Sequence, residues 1–161
     1  MRALVVYDSY FGNTAEIARA IGRGLGLNSA EVIQVREVSS DRLTNLDLLI
    51  VGSPTRGWRP TEGTAEWLKN LPENSLQHVK IAAFDTRLSL QDTKSAFTRF
   101  IVRTGGYAAP SISQSLKQKG GAEAAPAEGF LVIGEQGPLK QGELERAAEW
   151  GRSFIRVQQP A

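Results

Sequence analysis

Two short runs set the terms for the rest of the chain. Ala3-Leu4-Val5-Val6-Tyr7 and Leu48-Leu49-Ile50-Val51 are apolar at nearly every position, so neither reads as the half-wetted strand of an antiparallel sheet. A strand without polar alternation needs cover on both faces, which helices on either side of a parallel sheet supply. The intervening stretches agree with that architecture.

After residues 3–7 comes the loop Asp8-Ser9-Tyr10-Phe11-Gly12-Asn13-Thr14, then a helix over 13–25 with Ile17, Ile21 and Leu25 on one stripe. Residues 31–36 form a second strand, and Ser39-Ser40-Asp41 opens a short helix or turn. The third strand, 47–52, leads into Ser53-Pro54-Thr55-Arg56-Gly57-Trp58-Arg59-Pro60 and a helix over 61–70 with Ala65 and Leu68 inward. Strand four is 79–84. Ser89-Leu90-Gln91-Asp92 has capping-box form, and Ala96, Phe97, Phe100 and Ile101 continue it as an amphipathic helix broken by Gly105-Gly106. A short helix over 110–119, a surface connection over 120–129, strand five at 130–133 and a closing helix over 143–157 complete the chain. The closing helix carries Leu144, Ala147, Ala148, Gly151, Phe154 and Ile155 on one face, with Trp150 at its edge as a core residue. Five strands alternating with helices predict one α/β domain over 1–161 with right-handed crossovers. Ligands of such sheets bind outside the carboxyl ends of the strands.

Composition removes several chemistries. With no cysteine there is no disulfide, thiolate metal site or cysteine nucleophile. The single histidine, His78, lies in the polar lead-in to strand four and reads as a surface loop residue. No apolar run is long enough to span a bilayer and no signal peptide pattern is present, so a cytoplasmic protein without membrane contact is expected. Basic residues concentrate in 80–119 (Lys80, Arg87, Lys94, Arg99, Arg103, Lys117, Lys119, against Asp85 and Asp92), and the remainder is net acidic. They are spread at helical spacing, which predicts a solvated helix face and no nucleic-acid groove. Gly22-Arg23-Gly24-Leu25-Gly26 follows a helix and lacks GxGxxG spacing, so it reads as a helix terminus stopped by glycine.

The first loop carries the strongest functional signal. Unpaired amides at a helix N-terminus beside hydroxyl side chains hold a phosphate without a metal. Ser9 to Thr14 resembles the flavodoxin phosphate loop, Thr/Ser-x-Thr/Ser-Gly-Asn-Thr, which wraps the phosphate of FMN. Ser9, Gly12, Asn13 and Thr14 match it, and Phe11 stands where the family carries a hydroxyl. Three further stretches follow in order: Gly52-Ser53-Pro54-Thr55, Phe84-Asp85-Thr86-Arg87 and Gly137-Pro138-Leu139-Lys140-Gln141-Gly142-Glu143-Leu144. The resemblance to flavodoxins covers essentially the whole chain.

That resemblance implies a three-layer sandwich on a five-stranded parallel sheet of order 2-1-3-4-5, with FMN bound by Ser9, Tyr10, Phe11, Gly12, Asn13, Thr14, Pro54, Thr55, Arg56, Gly57, Trp58, Asp85, Thr86 and Arg87. Gly57 corresponds to the residue whose peptide turns toward flavin N5, and Trp58 to the stacking aromatic. No second aromatic occurs in 85–94, so either Tyr107 reaches over or the flavin is held from one side. Arg56, Arg59 and Arg87 replace the negative charge that surrounds the flavin in acidic flavodoxins, which implies a raised reduction potential. The implied function is an FMN-dependent electron carrier between redox partner proteins, monomeric or weakly dimeric, without catalytic residues of its own. Two alternatives stand beside it. One is an FMN-dependent quinone or small-molecule reductase, since Pro54-Thr55-Arg56 resembles the corresponding loop of such enzymes. The other is a flavin-free binding module.

Overall fold

The computed structural model describes residues 1–26, 30–89 and 106–156. The strands are β1 (Ala3–Tyr7), β2 (Ala30–Gln34), β3 (Leu48–Pro54), β4 (Lys80–Leu88), β5 (Ala122–Glu123) and β6 (Glu128–Val132). The helices are α1 (Asn13–Leu25), α2 (Glu62–Asn70), α3 (Ala108–Gln118) and α4 (Glu143–Arg156). Short 3-10 turns at Val35–Glu37 and Ser40–Leu43 join β2 to β3. The helix expected after Ser89, and the last residue of the closing helix, lie outside the described residues.

All strand pairs are parallel, in the order β2-β1-β3-β4, with β5 and β6 both on the far side of β4. This is the expected 2-1-3-4-5 sheet with its fifth position filled by two pieces. β5 pairs with Lys80 and Ile81, whereas β6 pairs with Phe84 through Leu88. The surface connection expected over 120–129 therefore contributes β5 and the start of β6 to the sheet, joined by an irregular stretch. Pro126 lies in the gap, where its missing N–H costs no ladder bond. Pairing with the edge of β4 is a backbone matter, which the alanine-rich side chains of this stretch do not advertise.

β1 shows why both-face cover was needed. Ala3, Val5 and Tyr7 join Ile17, Ile21, Leu25, Ala147 and Phe154 under α1 and α4. Leu4 and Val6 join Leu68, Ile112 and Leu116 under α2 and α3. On the first side Trp150 packs edge-on to Phe84, Phe130 and Phe154, with centroids 6.4, 6.0 and 4.9 Å away. α1 and α4 meet through their glycines: a Cβ at Gly24 would lie 2.0 Å from the Ala148 carbonyl oxygen, and one at Gly151 would lie 2.4 Å from that of Ile21. Leu144, expected on the buried face of α4, is exposed, and on α2 it is Thr64 rather than Ala65 that turns inward beside Leu68. Among the described residues no helix is long and apolar enough to cross a membrane.

β3 and β4 run further than their apolar cores predict, through Pro54 and Leu88. The registers Ser53 to Asp85 and Pro54 to Thr86 carry the ladder into the region expected to be loop. That extension positions the site.

Candidate functional site

The turn after β1 is built by its own polar side chains. The Ser9 amide donates to Asp8 Oδ1 at 2.9 Å, and the Gly12 amide donates to Ser9 Oγ at 3.1 Å. Gly12 then takes φ +92°, a left-handed conformation that suits glycine, and a Cβ there would meet nothing within 4 Å. The Glu16 amide bonds back to the Gly12 carbonyl and opens α1. As first-turn residues, Asn13 and Thr14 have no intrahelical acceptor for their amides. Among the described residues neither amide has another acceptor, so the loop presents unpaired N–H groups with open space above Gly12.

Side chains lock this loop to its neighbours. Thr14 Oγ1 and Thr86 Oγ1 are 2.8 Å apart and buried, which joins α1 to β4. Asn13 Nδ2 donates to the Gln136 carbonyl at 3.1 Å, and the Asn13 amide packs on Gly137. The second carboxylate oxygen of Asp8 accepts from Thr61 Oγ1 at 2.5 Å. Thr61 caps α2 by accepting from the Thr64 amide, and its own amide donates to the buried Ser53 Oγ. Asp8, Ser53 and Thr61 thus close the loop after β3 against the loop after β1.

A cavity of about 270 Å³ opens where these segments converge, at the small end of ligand pockets. Of the residues expected at the site, Ser9, Tyr10, Phe11, Asn13, Thr14, Pro54, Thr55, Arg56, Gly57, Thr86 and Arg87 line it. Gly12, Trp58 and Asp85 do not. Gly12 is the hinge of the loop beneath. Arg56 and Arg59 exchange both backbone hydrogen bonds, at 2.9 and 3.0 Å, around a two-residue hairpin whose central residues Gly57 and Trp58 have φ of +53° and +65°. That is the geometry of a type I′ turn. It carries Trp58 at its tip with 43% of its surface exposed, outside the cavity lining.

The aromatic surface at the lip comes from the first loop instead. Tyr10 and Phe11 are 56% and 47% exposed, and the Arg56 guanidinium lies 5.0 and 5.7 Å from their ring centroids. Phe11, in the place of a hydroxyl, serves as a wall.

Asp85 and Arg87 belong to β4 and not to a loop. Asp85 is fully buried and accepts from Arg87 Nε at 2.6 Å, Arg87 Nη2 at 2.8 Å and the Ala109 amide at 2.8 Å. Burial pushes its carboxyl up, against the hydrogen bonds and charge of Arg87 and the bonds from Ala109 and Thr55, which hold it down. Thr55 Oγ1 also accepts from the Ala108 amide at 3.0 Å, so the start of α3 is pinned to the same cluster. Tyr107 covers Arg87, its ring centroid 3.6 Å from Cζ. Tyr107 therefore reaches toward the site but rests on an arginine.

Leu88, Val132 and Glu135 also line the cavity. Their signal in the sequence was faint: Leu88 continues the β4 alternation, and Glu135 sits between Gly134 and Gly137 in the turn after β6. His78 is exposed, as expected. Among the described residues no group of three His, Asp or Glu side chains is placed to hold a metal ion.

The sequence matches the flavodoxin domain family over residues 4–129. No curated protein matches it. Among solved structures it is similar to a flavodoxin from the domain Archaea, at 24% identity and a TM-score of 0.76, covering 98% of each chain. It is also similar to oxidised flavodoxin 1 from Bacillus cereus, at 18% identity and a TM-score of 0.76, covering 99% of this chain and 100% of that one. A WrbA-like flavodoxin from Agrobacterium tumefaciens matches at 20% identity and a TM-score of 0.72, covering 97% and 96%.

Proposed function

The chain belongs to the flavodoxin domain family, and from that premise we propose that it holds FMN in the cavity at the carboxyl end of the sheet and carries electrons between redox proteins. One observation supports this reading above the others. The unpaired amides of Asn13 and Thr14, the extended ends of β3 and β4 and the turn after β6 all border a single cavity.

The donor set suits a phosphate. The amides over Gly12 are unpaired, the space above is free, and the N-terminal end of the α1 dipole favours a dianion by roughly 0.3 to 1 kcal/mol. The lining suits a flat ring, with Pro54, Thr55 and Gly57 from the end of β3 and its loop and the apolar Leu88 and Val132 from β4 and β6. Bound FMN supplies reversible one- and two-electron chemistry. The protein's part is to hold it. Ser9 and Gly12 shape the phosphate loop, Asn13 ties that loop to the turn after β6, and Thr14 with Thr86 fixes its distance from β4. Gly57 can turn its peptide without a side-chain penalty.

Purification and a visible spectrum test the reading: a flavin spectrum, or its appearance on adding FMN, is expected. Calorimetric titration should show FMN binding more tightly than riboflavin, because riboflavin leaves the loop amides unpaired. Equal affinities would overturn the phosphate assignment. A colourless protein that takes up no FMN would favour a binding module. NADPH-dependent quinone turnover by the holoprotein would favour the reductase reading over the carrier.

A further inference from the structure

We propose that Arg87, clamped between Asp85 and Tyr107, is the fixed cation of the cavity wall and raises the reduction potential of FMN bound there. The proposal rests on the FMN reading and adds which residue tunes the cofactor.

Among the described residues Arg56 and Arg87 line the cavity and Arg59 closes the hairpin beside it, but of these three only Arg87 is immobilised. Arg56 and Arg59 flank an exposed hairpin turn, and exposed charges are screened by salt. The Arg87 side chain is 19% exposed. Two of its nitrogens are held by Asp85, Tyr107 lies on one face, and Gly129 packs so close that a Cβ there would be 2.2 Å from Cζ. Among the described residues, Nη1 has no acceptor. A cation so confined cannot swing away when a ligand enters.

Its place in the strand separates it from the phosphate loop. Successive side chains of a strand point to opposite faces. Thr86 meets Thr14 on the α1 side, whereas Asp85 and Arg87 meet Ala109 and Tyr107 at the start of α3. Arg87 therefore approaches the cavity on the face away from the α1 amides.

Two-electron reduction of FMN, with electrons from an external donor and one proton from solvent, leaves one additional negative charge on the ring; no protein bond forms or breaks. Arg87 attracts that charge from the cavity wall, while Asp85, fully buried behind it, opposes it from further away. The pair is neutral as a whole, so the effect is that of a dipole with its positive end toward the ligand.

The test is a dye-equilibrated dithionite titration of FMN-loaded wild type, Arg87→Gln, Asp85→Asn and the double variant. Arg87→Gln should weaken binding of reduced relative to oxidised FMN by about tenfold, which for a two-electron couple is a fall of about 30 mV. Asp85→Asn should shift the potential the other way. Because removing Arg87 strands a buried carboxylate, Arg87→Gln is at risk of not folding. The double variant then decides, and its potential must lie below that of Asp85→Asn alone. Unchanged potentials, or shifts of one sign in both single variants, would overturn the proposal and leave the cluster a structural clamp. A loss of FMN preference over riboflavin in Arg87→Gln with an unchanged potential would also overturn it, by placing Arg87 at the phosphate. A wild type that binds no FMN removes the premise itself, and the first titration shows this before any variant is made.

Discussion

The hydroxyls of Thr14 and Thr86 lie 2.8 Å apart, buried, between the first turn of α1 and the extended end of β4. The position of the loop amides is thereby set by the sheet and not by the loop alone. It also means that the Thr14 hydroxyl already has a partner inside the protein.

The two hydroxyls should be energetically coupled, so that removing both costs less than the sum of removing each. Thr14→Val leaves a buried Thr86 hydroxyl unpaired, at about 1 to 2 kcal/mol. In urea denaturation, Thr14→Val with Thr86→Val should cost less than the two single losses added, by at least about 0.5 kcal/mol. Strict additivity would mean that the contact carries no coupling.

Gly12 is needed for its backbone and not for lack of space. At φ +92° a β-branched residue is strained, by roughly 1 to 3 kcal/mol, though no atom stands in its way. Gly12→Val should therefore weaken FMN binding about tenfold or more while leaving riboflavin affinity nearly unchanged. Equal losses for both ligands would show that the loop does not hold the phosphate.

Trp58 holds φ +65° at the tip of its hairpin, a conformation that asparagine tolerates far better than tryptophan. Trp58→Asn should stabilise the protein by about 0.5 to 1 kcal/mol, a rise of roughly 1 to 4 °C in Tm at this chain length. FMN affinity should change less than fivefold, because the cavity lining omits Trp58. Loss of binding in this variant would instead establish the tryptophan as the ring that covers the flavin.

Glu143 gives the fold an acid-sensitive joint. Its Oε2 accepts from the Leu131 amide at 2.7 Å and from Arg146, joining α4 to β6 next to the cavity wall at Val132. Burial raises its carboxyl, but the Arg146 and Leu131 hydrogen bonds, with the charges of Arg146 and Lys140, outweigh this and hold it below 4.5. A depressed carboxylate contributes stability above its unfolded value, and that contribution is lost as pH falls through the folded one. Glu143→Gln should thus cost about 1 to 2 kcal/mol at pH 7, and the difference from wild type should shrink below pH 4.5. A difference that stays constant down to pH 3 would show that the charge of Glu143 is not what matters.

Much of this protein was legible in the chain itself. The apolar runs at 3–7 and 48–51 demanded cover on both faces, and the helical stripes between them supplied it, which determined a parallel α/β sheet. The bounds of α1 and the glycine stop at Gly26 followed from local chemistry, because backbone conformation there depends on neighbours in sequence. What the tertiary structure decided depends on contacts between distant segments. Asp85 and Arg87 read as loop residues until pairing with β3 and β6 drew them into β4. The sequence offers Trp58 as an aromatic beside the cavity, but only the Arg56–Arg59 bridge places it at the exposed tip of a hairpin. The split fifth strand, Tyr107 over Arg87, and the meeting of Thr14 with Thr86 carry no local signature, since each exists only where the folded sheet brings remote backbone and side chains together.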